Sequence, residues 1–318
     1  MENNLINFKG TSKVVTTLIE AVSRGIGTLY EPINIKRLAK AKADETIILA
    51  KAECEKKQIM TALEAKSADY IPSVQLELIV SRIVGKELKR QENIDSVVRT
   101  ALEDLNNAQS ISDKKTETDW LIRFFNIVED VSDEELRIVW GKILSQEIQS
   151  PGSYSLRTLS TLSNLSRSEA ELFAKVSNYI FGSSNCCFLI RQESVFFGAN
   201  LCYEDISQLM ECGLIKESHE LNITYDSEVG QISRYAISYQ GFAIVIEMDK
   251  EAASLNIPIY SLTTAGSEIY KILSVEEDMQ FLQKAVDYIK QPNVRFGYSK
   301  LLEDKGDVIS FDDNITFM

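Results

Sequence analysis

Few side chains in this sequence could do chemistry, and none of them stands in a motif that a catalytic site requires. His219 is the only histidine, and it lies in the polar stretch KESHELN, which predicts an exposed loop. Cys186 and Cys187 lie in an apolar run that predicts a buried strand, where a thiol is an inert core group. No Cys-His or Ser-His pair with a recognisable motif accompanies them. The sequence therefore predicts a protein that is not an enzyme and has no catalytic residues.

Two acidic clusters contain the residue types that bind metal ions. Asp133, Glu134 and Glu135 could supply carboxylate ligands, but their position at the start of an amphipathic helix is explained by capping and by the helix dipole. The cluster Glu276–Asp278 is typical of a solvent-exposed face. We therefore expect no metal and no cofactor.

The first acidic cluster lies in residues 116–180, which predict a central helical module. Ser132 and Glu135 have the spacing of a capping box and predict a helix that starts near residue 133; Ser166 and Glu169 predict a second capping box. Two tryptophans supply aromatic mass for the buried faces of these helices. The residues with an expected structural role in the module are Trp120, Ser132, Glu135, Trp140, Ser166 and Glu169.

The same module carries a resemblance to a known family. The run Asp119–Val176 closely resembles an uncharacterised bacterial family, domain of unknown function 2806. In outline the resemblance extends to NIKRLAKAKADE in the N-terminal part and to GLIKE and LTTAGSEI in the C-terminal part. It implies membership of a family and nothing about activity.

A more distant resemblance concerns Asp133–Leu136, Trp140–Leu144 and Ser166–Leu172. This pattern is similar to that of the Abi-alpha group, which is linked to abortive phage infection. Arg167 departs from the group, in which a proline is usual at this position. By analogy, the resemblance implies a component of bacterial phage defence.

Composition and charge restrict the class of protein further. The chain has 318 residues, enough for two or three packed units. It has no run of about 20 uncharged apolar residues and no secretory signal at its start. Its five cysteines are odd in number and lack Cys-x-x-Cys spacing, which indicates reduced thiols in the cytoplasm.

The charge is unevenly distributed along the chain. Residues 1–110 contain 16 Lys or Arg and 15 Asp or Glu, whereas residues 111–318 contain 18 and 32. An acidic surface repels phosphate backbones. We therefore do not expect nucleic acid as a partner.

Residues 1–110 predict amphipathic and long helices. One apolar stripe consists of Val15, Leu18, Ile19, Val22, Ile26 and Leu29. The stripe could contact a partner or the surface of the inner membrane, but its few cations favour packing on the protein's own core. Residues 33–67 predict a long helix that forms either a hairpin with the next helix or a self-associating coiled coil.

Residues 181–290 predict a mixed domain with the helix-plus-wing layout of a winged helix. Its candidate recognition helix, Glu204–Glu211, contains no Lys or Arg, which favours a protein contact or a scaffold role over DNA reading. Residues 291–318 predict an acidic tail whose alternating apolar residues could add a strand to a partner or to the protein's own sheet.

The sequence as a whole predicts an α+β, predominantly helical protein. Its expected parts are an N-terminal helical hairpin or coiled coil, the central helical module, the winged-helix-like domain and the tail. The expected function is non-enzymatic and depends on a protein partner or on self-association. The alternative is a membrane-surface-associated or self-assembling protein that acts through the N-terminal amphipathic helix.

Overall fold

The computed structural model describes residues 13–28, 30, 73–108, 110–183, 186–192, 201–218, 221–227, 230–251, 254–304 and 308–318. The chain divides into two compact units, of which the first ends at Tyr154 and the second begins at Ser155. This division falls inside the predicted central module. The long helix predicted over residues 33–67 lies outside the described residues, and so does its coiled-coil or hairpin alternative.

Helices make up the described part of unit 1. They are α1 (Lys13–Ile26), α2 (Ser73–Asn106), α3 (Thr118–Val128) and α4 (Glu134–Gln149). Helix α2 packs against α4, and α1 packs against α3.

Glycines allow both of these helix pairs to approach closely. A Cβ atom added to Gly141 on α4 would lie 2.5 Å from the Cβ of Thr100 on α2. A Cβ atom added to Gly25 on α1 would lie 2.8 Å from Cε2 of Phe125 and 3.1 Å from the carbonyl oxygen of Leu121, both on α3. Real Cβ atoms do not approach other atoms this closely without a shift, so both positions require glycine.

An aromatic cluster forms the centre of unit 1. Trp120 stacks on Phe124 with ring centroids 5.0 Å apart, and Phe124 meets the edge of Trp140 at 5.6 Å. All three side chains are buried. The prediction that the two tryptophans belong to buried helix faces is therefore confirmed.

Unit 2 combines helices and strands. Its helices are α5 (Leu156–Asn164), α6 (Arg167–Ser177), α7 (Tyr203–Glu211), α8 (Thr264–Tyr270) and α9 (Met279–Ile289). Its strands are β1 (Phe181–Ser183), β2 (Cys186–Ile190), β3 (Asn222–Asp226), β4 (Ser233–Tyr239), β5 (Phe242–Met248), β6 (Ser254–Ser261), β7 (Val294–Asp304), β8 (Ile309–Phe311) and β9 (Thr316–Phe317).

The described strands form one nine-stranded sheet. Eight of them follow the order β3-β6-β2-β1-β4-β5-β7-β8, and β9 pairs with β7. Each described pairing is antiparallel. The longest registers are those of β5 with β4 and with β7, for example Ile246 opposite Tyr235 and Phe296.

Helix α9 and the sheet share a hydrophobic core. The helix contributes Phe281, Leu282, Ala285, Val286 and Ile289. The core residues alternate along the strands, because side chains in a strand point to opposite faces of the sheet in turn. On β4, β5 and β7 they are Ile237, Tyr239, Ile244, Ile246, Met248, Val294 and Phe296.

The prediction of a predominantly helical protein with a winged-helix-like domain was wrong. The protein is a mixed α/β protein, and its strands join one large antiparallel sheet. No separate wing is present among the described residues, because β3 pairs with β6, and β4 pairs with β1 as well as with β5. The physical reason is the apolar face of β4, β5 and β7, which needs a broad sheet and a covering helix to be buried.

The C-terminal tail also differs from the prediction. Residues 294–317 contain β7, β8 and β9 of the sheet. Exposed and buried residues alternate along β7, since Arg295 is exposed between the buried Val294 and Phe296. The alternative that these residues add strands to the protein's own sheet is therefore confirmed.

Candidate functional site

The apolar stripe of α1, for which the sequence favoured packing on the protein's own core over a partner or membrane contact, is largely buried in unit 1. Val15, Leu18 and Val22 are buried, and Ile19 and Ile26 are half-buried. Leu29 lies outside the described residues. The protein's own helix α3 packs on this helix, as the low cationic charge of the stripe had favoured. No helix in the described part of the chain combines the length and the apolar character that crossing a bilayer requires.

The predicted cap of α4 was displaced by one residue. Asp133, and not Ser132, is the N-cap, and its carboxylate accepts a hydrogen bond of 3.0 Å from the Leu136 amide. A capping box of Ser132 with Glu135 is therefore wrong. The carboxylate of Asp133 both accepts from the free amide and meets the positive end of the helix dipole, whereas a hydroxyl carries no charge.

A buried carboxylate that was not predicted from the sequence lies near the end of α4. Glu147 is 2% exposed, and it accepts hydrogen bonds from the amides of Gly152 at 2.7 Å and Tyr154 at 3.0 Å. The carbonyl oxygen of Tyr154 in turn accepts from Nε1 of Trp120 at 2.8 Å. Glu147 therefore fixes the loop that closes unit 1. Its position on the same helical face as Trp140 and Ile143 was the available signal.

Unit 2 contains a polar surface cavity, which we call the acidic hollow. It lies at the end of α5, the start of α6 and the end of α7, and its volume is about 380 Å³. The lining residues are Ser160, Thr161, Asn164, Leu165, Glu169, Glu211 and Cys212. Glu169, one of the residues with an expected structural role, lines the acidic hollow, and so does Glu211 at the end of the candidate recognition helix.

The capping box of α6 fixes one wall of the acidic hollow. Ser166 accepts from the Glu169 amide, and the Glu169 carboxylate accepts from the Ser166 amide at 2.6 Å. This capping box was predicted from the sequence and is confirmed. Hydrogen bonds from Ser166, and then from Cys212, lower the pKa of Glu169.

The thiol in the acidic hollow is held in its protonated form. Burial, together with the hydrogen bond to Glu169 and the charge of Glu169, raises the pKa of Cys212 to about 11. At neutral pH the side chain is therefore a weak hydrogen-bond donor and not a thiolate nucleophile. Both Glu169 and Glu211 carry carboxylates into the same cavity, so the acidic hollow can accept a cationic group.

The other residues considered for a chemical role either have a structural role or lie outside the described residues. His219 lies outside the described residues. The carboxylate of Asp278 caps α9, where it accepts from the Phe281 amide at 2.8 Å. Cys186 and Cys187 are half-buried in β2, and burial raises the pKa of Cys187. Among the described residues no group of three or more His, Cys, Asp or Glu side chains could hold a metal ion.

These features define a mixed α/β protein with a helical unit, an antiparallel-sheet unit and an acidic surface cavity. Residues 78–286, more than half of the chain, match the family described as Protein of unknown function (DUF2806). The chain therefore belongs to this family, as its sequence resemblance had implied. All residues of the acidic hollow lie within the matched range. No curated protein and no solved structure matches the chain.

Proposed function

We propose that this protein acts by binding a protein partner and not by catalysis, and that it serves in bacterial phage defence in the cytoplasm. Two observations support the proposal. The first is that Asp133, Glu147 and Glu169 accept hydrogen bonds from backbone amides. The second is the resemblance of their segment to the Abi-alpha group.

The observation that carries the non-catalytic role is the engagement of carboxylates with backbone amides. Asp133 caps α4, Glu169 closes the capping box of α6, and Glu147 holds two amides of the loop after α4. Hydrogen bonds of this kind lower the pKa of Glu169, so its carboxylate is stabilised in its charged form and is a poor general acid. These three carboxylates, the groups best placed to do chemistry in this segment, thus stabilise helix starts and a loop.

The defence role depends on the similarity to the Abi-alpha group. In the structure the similar residues lie in α4 and in the first part of α6, each of which begins at a capped residue. The similarity therefore includes the defined starts of two helices. It supports the role by analogy, since a shared helical pattern alone does not fix a function.

Phage plating tests the defence role directly. Bacteria would carry the intact gene, Trp140→Ala or Ile138→Ala, and each strain would be challenged with a diverse phage panel. Trp140 is 1% exposed in the core of unit 1, whereas Ile138 is 46% exposed on the same helix. Truncating a buried Trp costs about 3–5 kcal/mol, and truncating an exposed residue costs far less.

We expect the intact gene and Ile138→Ala to lower plating of at least one phage and Trp140→Ala to lose this effect. Unchanged plating of every phage on the intact gene would contradict the defence role. Equal protection by Trp140→Ala would show that the effect does not need the folded unit.

A further inference from the structure

We propose that the acidic hollow of unit 2 is a binding site for an arginine side chain that a basic protein partner presents. The inference rests on the proposed partner-binding function and adds the chemistry of the contact. It depends on the shape, the acceptors and the charge of the cavity.

The acidic hollow offers hydrogen-bond acceptors on several sides. Glu211 carries a carboxylate, and Ser160 and Thr161 carry hydroxyls. The Glu169 carboxylate, which already accepts hydrogen bonds from Ser166 and Cys212, adds a second negative charge. Asn164 donates its amide NH2 to the carbonyl oxygen of Ser160 at 2.7 Å, which leaves its Oδ1 atom as an acceptor. A ligand that suits this cavity must therefore be a donor with several N–H groups.

A guanidinium fits these acceptors better than an ammonium group. It is planar and presents five N–H donors in a fixed arrangement, so it can reach carboxylates and neutral acceptors at the same time. A cavity of about 380 Å³ has room for the aliphatic part of the side chain as well. Leu165, the apolar lining residue, gives that part a surface to pack against.

The charge of unit 2 favours a basic partner. Residues 155–318 contain 13 Lys or Arg and 23 Asp or Glu. The seven residues of the acidic hollow include two Glu and neither Lys nor Arg. Such a field attracts cationic partners and increases their association rate, particularly at low ionic strength.

Peptide binding to the purified full chain tests the inference. The probe is a dye-labelled peptide of Gly and Ser with one central arginine, and the control peptide carries citrulline, a neutral analogue of arginine. Binding is measured by fluorescence anisotropy at low salt. The variants are Glu211→Gln, which removes a charge from the acidic hollow, and Glu204→Gln, which removes an exposed charge from the first turn of the same helix.

We expect the arginine peptide to bind and the citrulline peptide to bind at least about fivefold more weakly. Glu211→Gln should weaken binding of the arginine peptide about fivefold, while Glu204→Gln should stay within about twofold of the wild type. Circular dichroism melts should be the same for both variants.

Three results would overturn the inference: no binding of the arginine peptide, equal affinity for the two peptides, or equal affinities of Glu211→Gln and Glu204→Gln. Because the assay uses no phage, it is independent of the defence role. Peptide binding without any plating phenotype would remove the defence role alone, and a plating phenotype without peptide binding would remove the arginine site alone.

Discussion

Glu147 provides the sharpest test of how unit 1 is held together. Its carboxylate accepts from the amides of Gly152 and Tyr154, at 2.7 and 3.0 Å, and it is almost fully buried. Hydrogen bonds to a charged group contribute about 1.5–3 kcal/mol each, and the change to alanine also removes the cost of burying a charge. We therefore expect Glu147→Ala to lower the free energy of unfolding of unit 1 by about 2–4 kcal/mol.

Tryptophan fluorescence during urea unfolding measures this change selectively. The chain has two tryptophans, Trp120 and Trp140, and both belong to unit 1. Trp120 also donates to the carbonyl oxygen of Tyr154, so it senses the loop that Glu147 fixes. The signal therefore reports unit 1 even if the two units unfold separately.

Two further variants serve as comparisons for Glu147→Ala. Glu147→Gln keeps one acceptor oxygen and should cost about half as much as the alanine variant. Glu134→Ala changes an exposed carboxylate in the first turn of the same helix and should cost less than about 1 kcal/mol. A stability of Glu147→Ala within about 1 kcal/mol of the wild type would refute the role assigned to Glu147.

Three further predictions concern helix packing, pH and capping. Gly25→Ala should destabilise unit 1 by about 1–3 kcal/mol, because the added methyl group overlaps the Phe125 ring. At Gly85 an added methyl group meets no atom, so Gly85→Ala should stabilise unit 1 by about 0.5–1 kcal/mol through the higher helix propensity of alanine. Equal stabilities in urea would contradict the packing of α1 on α3. Burial raises the pKa of Asp95, so the ionised side chain increasingly destabilises the folded protein as the pH rises through the folded-state pKa. The stability of Asp95→Asn relative to the wild type should therefore increase from about pH 4 to pH 7, and a difference independent of pH would contradict this. Ser166→Ala removes the α6 cap and should cost about 1 kcal/mol, and Ser166→Asp should restore most of it in thermal melts; no loss in the alanine variant would show that the cap is dispensable.

Local structure could be predicted from the sequence wherever neighbouring residues determine it. The Ser166–Glu169 capping box depends on contacts within a few residues, and it was predicted correctly. The position of the α4 cap was missed by one residue, because Ser132 and Asp133 are both good caps and the local pattern does not rank them.

The architecture of unit 2 could not be predicted in this way. The pairing of β3 with β6 joins residues 222–226 to residues 254–258, and no local signal specifies a partner that far away. Strand β7 was assigned to the acidic tail, because the exposed Arg295 and Lys300 interrupt its apolar residues. Which residues of β7 are buried becomes evident only from its pairing with β5.

The acidic hollow could not be predicted from the sequence either. Glu169 was singled out for its capping role, which depends on residues next to it. Its proximity to Cys212 arises because the end of α7 meets the start of α6, and that contact is a property of the fold. Buried Glu147 escaped notice for a related reason, since a carboxylate on an apolar face is tolerated only where the loop supplies donors.

Phage plating with the charge-matched pair of α7 variants tests most directly whether the protein works through a partner bound at the acidic hollow. We expect the intact gene and Glu204→Gln to lower plating of the same phages, and Glu211→Gln, which should bind the partner about fivefold more weakly, to protect less. Equal protection by Glu211→Gln and Glu204→Gln would contradict the claim that the protein works through a partner bound at the acidic hollow.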